Sequence, residues 1–344
     1  MIGQIIAIVV LGLIIAGLVA PSEALSWWRR GQLDDRTIGW PSVAEAFRRP
    51  GDEPDDEVPD DLPAEEDHYL IYLSGIGISS PDELPVIEIP MVRLLTERLG
   101  RTTVMWRIYP YSVANTALTQ GRRMSRIWGA LARWKFNKTR LRSLAFLINL
   151  RNAFQMFVSS DRRYGPVFNL AVAEQIAATL IRNGYVPEHH RPVTLLGWSG
   201  GAQIAAGAAW YLAALGMPVR VMSMAGIVSA DPGLDRAQQI WHLHGESDVA
   251  EKLGPVFFAG RWPLFRKSSW NRALRDGRLQ IVTMGGLKHG GPQGYFSAGP
   301  PLADGRTPRQ ATADFIVRVL VDAGLATDRG DHRESSGGDG DDRA

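Results

Sequence analysis

Apolar positions along the chain fall into short runs separated by stretches of helical spacing. Tyr69–Leu73 (YLIYL), Thr102–Ile108 (TTVMWRI), Val193–Leu196 (VTLL), Val219–Met224 (VRVMSM), Ile240–His244 and Leu279–Met284 (LQIVTM) predict strands. Leu84–Leu99, Val167–Asn183, Gly200–Leu215 and Arg309–Ala323 predict helices, the last three closed by Gly184, Gly216 and Gly324. Short apolar strands alternating with helices predict a parallel sheet covered on both faces. No internal repeat interrupts this rhythm.

The two ends follow other patterns. Ile2–Ala20 (IGQIIAIVVLGLIIAGLVA) has Gln4 as its one strongly polar side chain. A run of that length matches the hydrocarbon core of a bilayer. No basic residue precedes it, as one would in a secretory leader, and Trp27-Trp28-Arg29-Arg30 follows it. The expectation is an uncleaved single-pass anchor with the remaining chain in the cytoplasm. Pro50–Asp67 is acidic, rich in proline and free of Lys and Arg, a composition that predicts an extended linker. A short amphipathic helix is expected around Ser42–Arg48. The divisions are therefore 1–30 for anchor and flank, 31–67 for linker, 68–326 for the folded domain and 327–344 for a disordered tail.

Gln120–Arg163 departs from the alternation. It is rich in Arg and Lys, with Trp128, Trp134, Phe136, Phe146, Phe154 and Phe157 interleaved, and its one acid is Asp161. It predicts a helical cap inserted at about 112–165, either solvated or resting on anionic lipid. Over all 344 residues the formal net charge is only +2, so nothing in the whole-chain charge points to nucleic acid. Beside an anchor, the basic stretch favours a membrane surface over nucleic acid. There are no cysteines, which excludes disulfides, thiolate catalysis and Cys-ligated metal sites and fits a reducing compartment.

Candidate chemistry begins at Gly197-Trp198-Ser199-Gly200-Gly201. In a chain with 36 glycines, Gly-x-Ser-x-Gly alone says little. Here, however, the strand VTLL precedes it and the helix GAQIAAGAAWYLAAL follows, the context that raises a serine hydroxyl above a sheet on a strained turn. A serine hydroxyl needs a histidine base oriented by a carboxylate. Asp248 follows the strand WHLH, and His289 follows LQIVTM within Gly285-Gly286-Leu287-Lys288-His289-Gly290-Gly291. Asp231 in Ser-Ala-Asp-Pro-Gly and Glu246 are rival carboxylates, although Asp-Pro-Gly also reads as a simple turn.

With these residues in the order Ser, Asp, His, each after a strand, the chain from Tyr69 to about Leu325 resembles the α/β-hydrolase superfamily. The resemblance implies Ser199 as nucleophile, His289 as general base and acid, and Asp248 as its orienter. It implies an oxyanion hole from the backbone N–H of Gly200 and of Ile76, with Gly77 as an alternative. Ser-Gly stands at Ser74-Gly75, where the family often has His-Gly. Little chain precedes Tyr69, so a reduced fold of about six strands is expected, with the cap insertion and the N-terminal transmembrane helix as additions. No cofactor is implied. The activity implied is hydrolysis of an ester, with an apolar acyl or lipid-derived substrate suggested by the anchor and the aromatic insertion. The alternative is a scaffold of the same fold that binds lipid or a partner without turnover.

His242-Leu243-His244 places two imidazoles on one face of a strand, which raises the question of a metal site. The expectation is instead that both are core or cleft residues. His68, His189 and His190 are expected in hydrophilic loops.

Overall fold

The computed structural model describes residues 20–33, 39–47, 61–113 and 146–330. Before the sheet come helices α1 (Ser22–Leu33) and α2 (Val43–Phe47). Then follow β1 (His68–Leu73), α3 (Ile89–Arg98), β2 (Leu99–Gly100), β3 (Thr102–Met105), α4 (Phe146–Ser160) and α5 (Gly165–Arg182). The second half runs β4 (Val193–Trp198), α6 (Gly201–Ala214), β5 (Val219–Met224), β6 (Ile240–His244), α7 (Leu253–Phe257), α8 (Ser269–Arg275), β7 (Leu279–Thr283), α9 (Pro308–Asp322) and β8 (Thr327–Asp328).

Six strands form one sheet in the order β3-β1-β4-β5-β6-β7, and every pairing in it is parallel. The fold is therefore α/β, with helices flanking a parallel sheet. The interior strands are buried along their whole length or nearly so, because helices cover both faces. This is why β1 (HYLIYL) and β4 (VTLLGW) read as continuous apolar runs. Among the described residues β7 pairs with β6 alone, at the edge of the sheet, and its Ile281 is half exposed. Small residues fill α6, which lies against β4, β5 and α5, and its Gly207 receives the side chain of Asn169.

Several boundaries differ from those expected. Helix α3 begins at Ile89 rather than Leu84: Pro90 sits in its first turn, and Glu88 closes a turn on Pro85 before the helix starts. His68 belongs to β1, not to a loop. It is fully buried between the hydroxyls of Thr102 (3.2 Å) and Thr194 (2.8 Å), and burial, aided by Arg220, brings its pKa down to about 3. Thr327-Asp328, at the start of the expected tail, pairs antiparallel with Leu99-Gly100, and Asp328 binds Arg98.

The N-terminal elements lie on this body. Ala24 and Trp27 of α1 join the buried core, Glu23 pairs with Arg151 of α4 at 2.6 Å, and Trp40 stacks on Tyr185. Among the described residues no helix is long and apolar enough to cross a membrane. Of the expected anchor only Ala20 is described, and residues 114–145 of the expected cap likewise lie outside the described set.

Candidate active site

The end of β4 turns into α6 at Ser199, whose φ of +51° is left-handed, a conformation that costs a non-glycine residue about 1–3 kcal/mol. The close crossing of strand and helix explains its neighbours. A Cβ on Gly197 would stand 2.4 Å from Ala202 Cα, and one on Gly201 would stand 2.4 Å from Leu73 O. Backbone bonds hold the turn from the β5 side: Ser199 N–H donates to Met224 O, and Ile227 N–H donates to Ser199 O.

The structure brings Ser199, His289 and Asp248 together. Ser199 Oγ lies 3.0 Å from His289 Nε2, and His289 Nδ1 lies 3.0 Å from Asp248 Oδ2. Asp248 has no exposed surface, and a buried carboxylate needs several donors. It accepts from Ala250 N–H, Glu251 N–H and the Tyr295 hydroxyl as well as from His289. Burial alone would raise its pKa, but the bonds from His289, Glu251 and Tyr295 outweigh that and hold it below the usual aspartate value. Tyr295 OH in turn accepts Gly245 N–H at 2.6 Å, so its own proton is directed at Asp248. With Asp248 ionised, His289 donates through Nδ1 and leaves the Nε2 lone pair facing the serine hydroxyl. The His289 loop is pinned where Lys288 N–H bonds to Gln293 O, and the imidazole stacks on Trp198 with ring centroids 4.6 Å apart.

Both rival carboxylates sit elsewhere. Glu246 is exposed at the strand end. Asp231 caps a 3-10 turn, accepting from Gly233 N–H and Gln203 Nε2, and burial pushes its pKa up to about 6 against those bonds. His242 is also buried, between Ser223 Oγ (2.9 Å) and Glu251 Oε1 (2.8 Å). Burial lowers its pKa against the pull of Glu251. Arg261 completes that network on Glu251 at 3.0 Å. Burial opposes ionisation of Glu251, yet His242 and Arg261 bring it down to about 2. Since Glu251 N–H also binds Asp248, this network braces the loop that carries the acid. Among the described residues no group of three or more His, Asp or Glu is arranged to hold a metal ion.

The expected oxyanion residues adjoin each other. Gly200 precedes the first residue of α6, where leading N–H groups have no partner within the helix. A Cβ on Gly200 would meet Ile76 Cγ2 at 2.8 Å and Tyr111 OH at 3.0 Å. The strand-end turn bearing Ile76 is held by side chains that the sequence did not single out. Asn152 Nδ2 donates to Ile76 O (2.9 Å) and Ile78 O (2.7 Å), and Tyr111 OH donates to Ser74 O. The buried Glu88 accepts from Ser74 Oγ and Tyr72 OH. Arg151 joins this set to the N-terminal flank, binding Tyr111 O and Glu23. The one signal in the sequence was the polar pair Arg151-Asn152 inside the apolar helix FLINLRNAFQMF, since buried amides require partners.

No family model matches the chain, and no curated protein matches it. Among solved structures, the chain is similar to a dienelactone hydrolase-like promiscuous phosphotriesterase from metagenomic libraries. The similarity covers 78% of this chain and 89% of that one, with 13% identity and a TM-score of 0.42.

A cavity of about 1290 Å³ lies beside this site rather than at it. It follows α6 past Gly207 and Tyr211, between Ser159 on one side and Phe257, Phe258 and Leu264 on the other, and Asp231 lines it.

Proposed function

We propose that the chain is a membrane-anchored serine hydrolase that cleaves carboxylic esters carrying an apolar acyl or lipid-derived group. The observation that carries this reading is the unbroken relay from Ser199 Oγ through His289 to Asp248, with 3.0 Å at each step. The order Ser199, Asp248, His289, and their places after β4, β6 and β7, match the α/β-hydrolase pattern.

In this reading Ser199 Oγ attacks the ester carbonyl while His289 Nε2 takes its proton. Asp248 stabilises the imidazolium and keeps its ring in register. Negative charge develops on the former carbonyl oxygen, where Gly200 N–H and Ile76 N–H donate to it. The tetrahedral intermediate collapses and expels the alcohol, which receives the proton from Nε2 and leaves an acyl-Ser199 ester. Water then enters, loses its proton to His289 and displaces the serine, returning an acid and the free enzyme. The apolar substrate class follows from the Ile2–Ala20 run and the aromatic residues around 128–157. The corresponding localisation is a single-pass anchor with the catalytic domain in the cytoplasm.

Turnover of a short-chain nitrophenyl ester by the full chain tests this. The reading expects hydrolysis that disappears in His289→Ala. No hydrolysis in either would favour a scaffold without turnover, and equal hydrolysis in both would overturn the role given to His289.

A further inference from the structure

The segment from Val249 to Phe265, directly after the acid Asp248, exposes an unusual amount of apolar surface. Leu264 is 81% exposed, Val249 72% and Val256 68%, and Leu253, Phe257, Trp262 and Phe265 are exposed as well. These residues are contiguous in the chain, Trp262 and Phe265 adjoin with ring centroids 6.2 Å apart, and exposed apolar patches mark surfaces that meet another apolar phase.

The segment is held firmly. Arg261 stacks on Trp270 at 4.0 Å and binds Glu251, while Trp262 Nε1 donates to Pro255 O. Asn271 Nδ2 fastens Trp262 O and Phe265 O. The apolar side chains are thus presented by a braced loop. Its exposed charges have one sign: Lys252, Arg266 and Lys267 are exposed, and the one acid between 249 and 267, Glu251, is buried.

Its position relates it to the N-terminal apolar run. Ala20 O, at the end of that run, accepts from Gln155 Nε2 of α4. Phe157, two residues further along α4, points to the opposite side of the helix and meets Phe257 edge-on at 5.4 Å. Ala20, the described end of that run, therefore lies across α4 from the exposed segment, roughly 15–20 Å from Phe257 once the helix width and both contacts are added. Between Ala20 and the core, α1 exposes Leu25, Trp28 and Arg29 on one stripe, an aromatic and basic pattern suited to a lipid interface.

We propose that Val249–Phe265, together with the Leu25/Trp28 stripe of α1, is a docking surface for an anionic lipid bilayer, its apolar side chains entering the boundary between headgroups and acyl chains. The proposal rests on reading Ile2–Ala20 as a bilayer anchor. It adds that the body lies down on the membrane beside the anchor, with the loop following Asp248 in contact with lipid. Lys252, Arg266 and Lys267 then face anionic headgroups.

The absence of cysteine permits a direct test on the full chain. Leu264→Cys, Val256→Cys, Val9→Cys and Asp276→Cys are each labelled with an environment-sensitive fluorophore. They are reconstituted in phosphatidylcholine–phosphatidylglycerol vesicles that carry lipid-borne spin quenchers. Asp276, exposed just before β7 and so at the opposite end of the parallel strands from Asp248, is the control. The proposal expects a shallow quencher to dim positions 264 and 256 by about twofold or more relative to 276, as for side chains ~5–10 Å into the interface. It further expects Arg266→Glu with Lys267→Glu to reduce the quenching at 256. Quenching at 264 and 256 no greater than at 276 overturns it, including the case in which both are shielded from aqueous iodide by the chain's own residues. Position 9 separates the two readings. Deep quenching at 9 without quenching at 264 leaves the anchor and removes the docking surface. The reverse leaves the surface and removes the anchor.

Discussion

The indole of Trp198 and the imidazole of His289 lie nearly parallel, 22° apart, with centroids 4.6 Å from each other. Trp198 is the residue immediately before Ser199, so the turn that lifts the serine also provides the wall against which its histidine rests. Tyr295 and Phe296 close around the same indole at 5.3 Å and 4.8 Å. Trp198 thereby acts as a positioning residue: it fixes the imidazole plane while Asp248 fixes its rotation.

Replacing Trp198 with Leu removes the stacking surface but leaves the serine and both hydrogen bonds possible. We expect kcat for a short ester to fall by about ten- to a hundredfold, since misplacement by about 1 Å can cost ~10². KM should change little, and Trp198→Phe should recover much of the loss. A loss confined to KM would place Trp198 in substrate binding instead.

The choice of acid can be settled by paired substitutions. Asp248→Asn should reduce kcat about 10³–10⁴-fold, because an amide cannot accept the Nδ1 proton as the carboxylate does. Glu246→Gln, on the exposed side of the same loop, should remain close to wild type. The opposite ranking would transfer the role to Glu246.

Asn152 is expected to act on rate through the turn it holds. Asn152→Ala leaves the carbonyls of Ile76 and Ile78 without their donor and frees the turn that carries one expected oxyanion donor. Loss of such a donor costs about 10²–10³ in kcat, so partial disorder should cost at least about tenfold. Denaturant unfolding should also shift, by about 1–3 kcal/mol for the unpaired groups. A stability loss with unchanged kcat would make Asn152 purely structural.

Asp231 supplies a pH test with a defined sign. Its folded pKa is raised from 3.8 to about 6 by burial, so the folded state holds a proton that the unfolded state releases. Stability is therefore lost as pH rises from about 3.8 to about 6. Asp231→Asn should escape that loss, gaining at most about 3 kcal/mol above pH 6, less the cost of reorienting the amide. The gain should vanish below about pH 4, and the variant should hydrolyse ester at pH 8 as the wild type does. A variant less stable than wild type at pH 8, or one without activity, would contradict this account of Asp231.

The strands were legible because each interior strand is buried on both faces, so apolar runs such as YLIYL and VTLL stood out without any alternation to interpret. The Ser199 turn was legible because the glycines that admit the helix are adjacent in sequence. His289 and Asp248 were legible as polar residues directly after apolar runs. Trp198, Tyr295, Asn152 and Glu88 were not, since each acts through a partner distant in sequence, and an apolar or amide side chain does not announce which loop it holds. His68 misled for a related reason. A histidine beside an acidic stretch resembles a loop residue until Thr102 and Thr194 arrive from two other strands to satisfy it. The exposed segment 249–265 was invisible because periodicity cannot tell apolar residues that are buried from apolar residues that are not.

The most direct measurement for the central claim is labelling of the full chain in membranes with a fluorophosphonate, followed by mapping of the modified peptide. One adduct is expected, on Ser199 Oγ, formed by the wild type, abolished in Ser199→Ala and strongly slowed in His289→Ala. Labelling that persists unchanged in Ser199→Ala would contradict it.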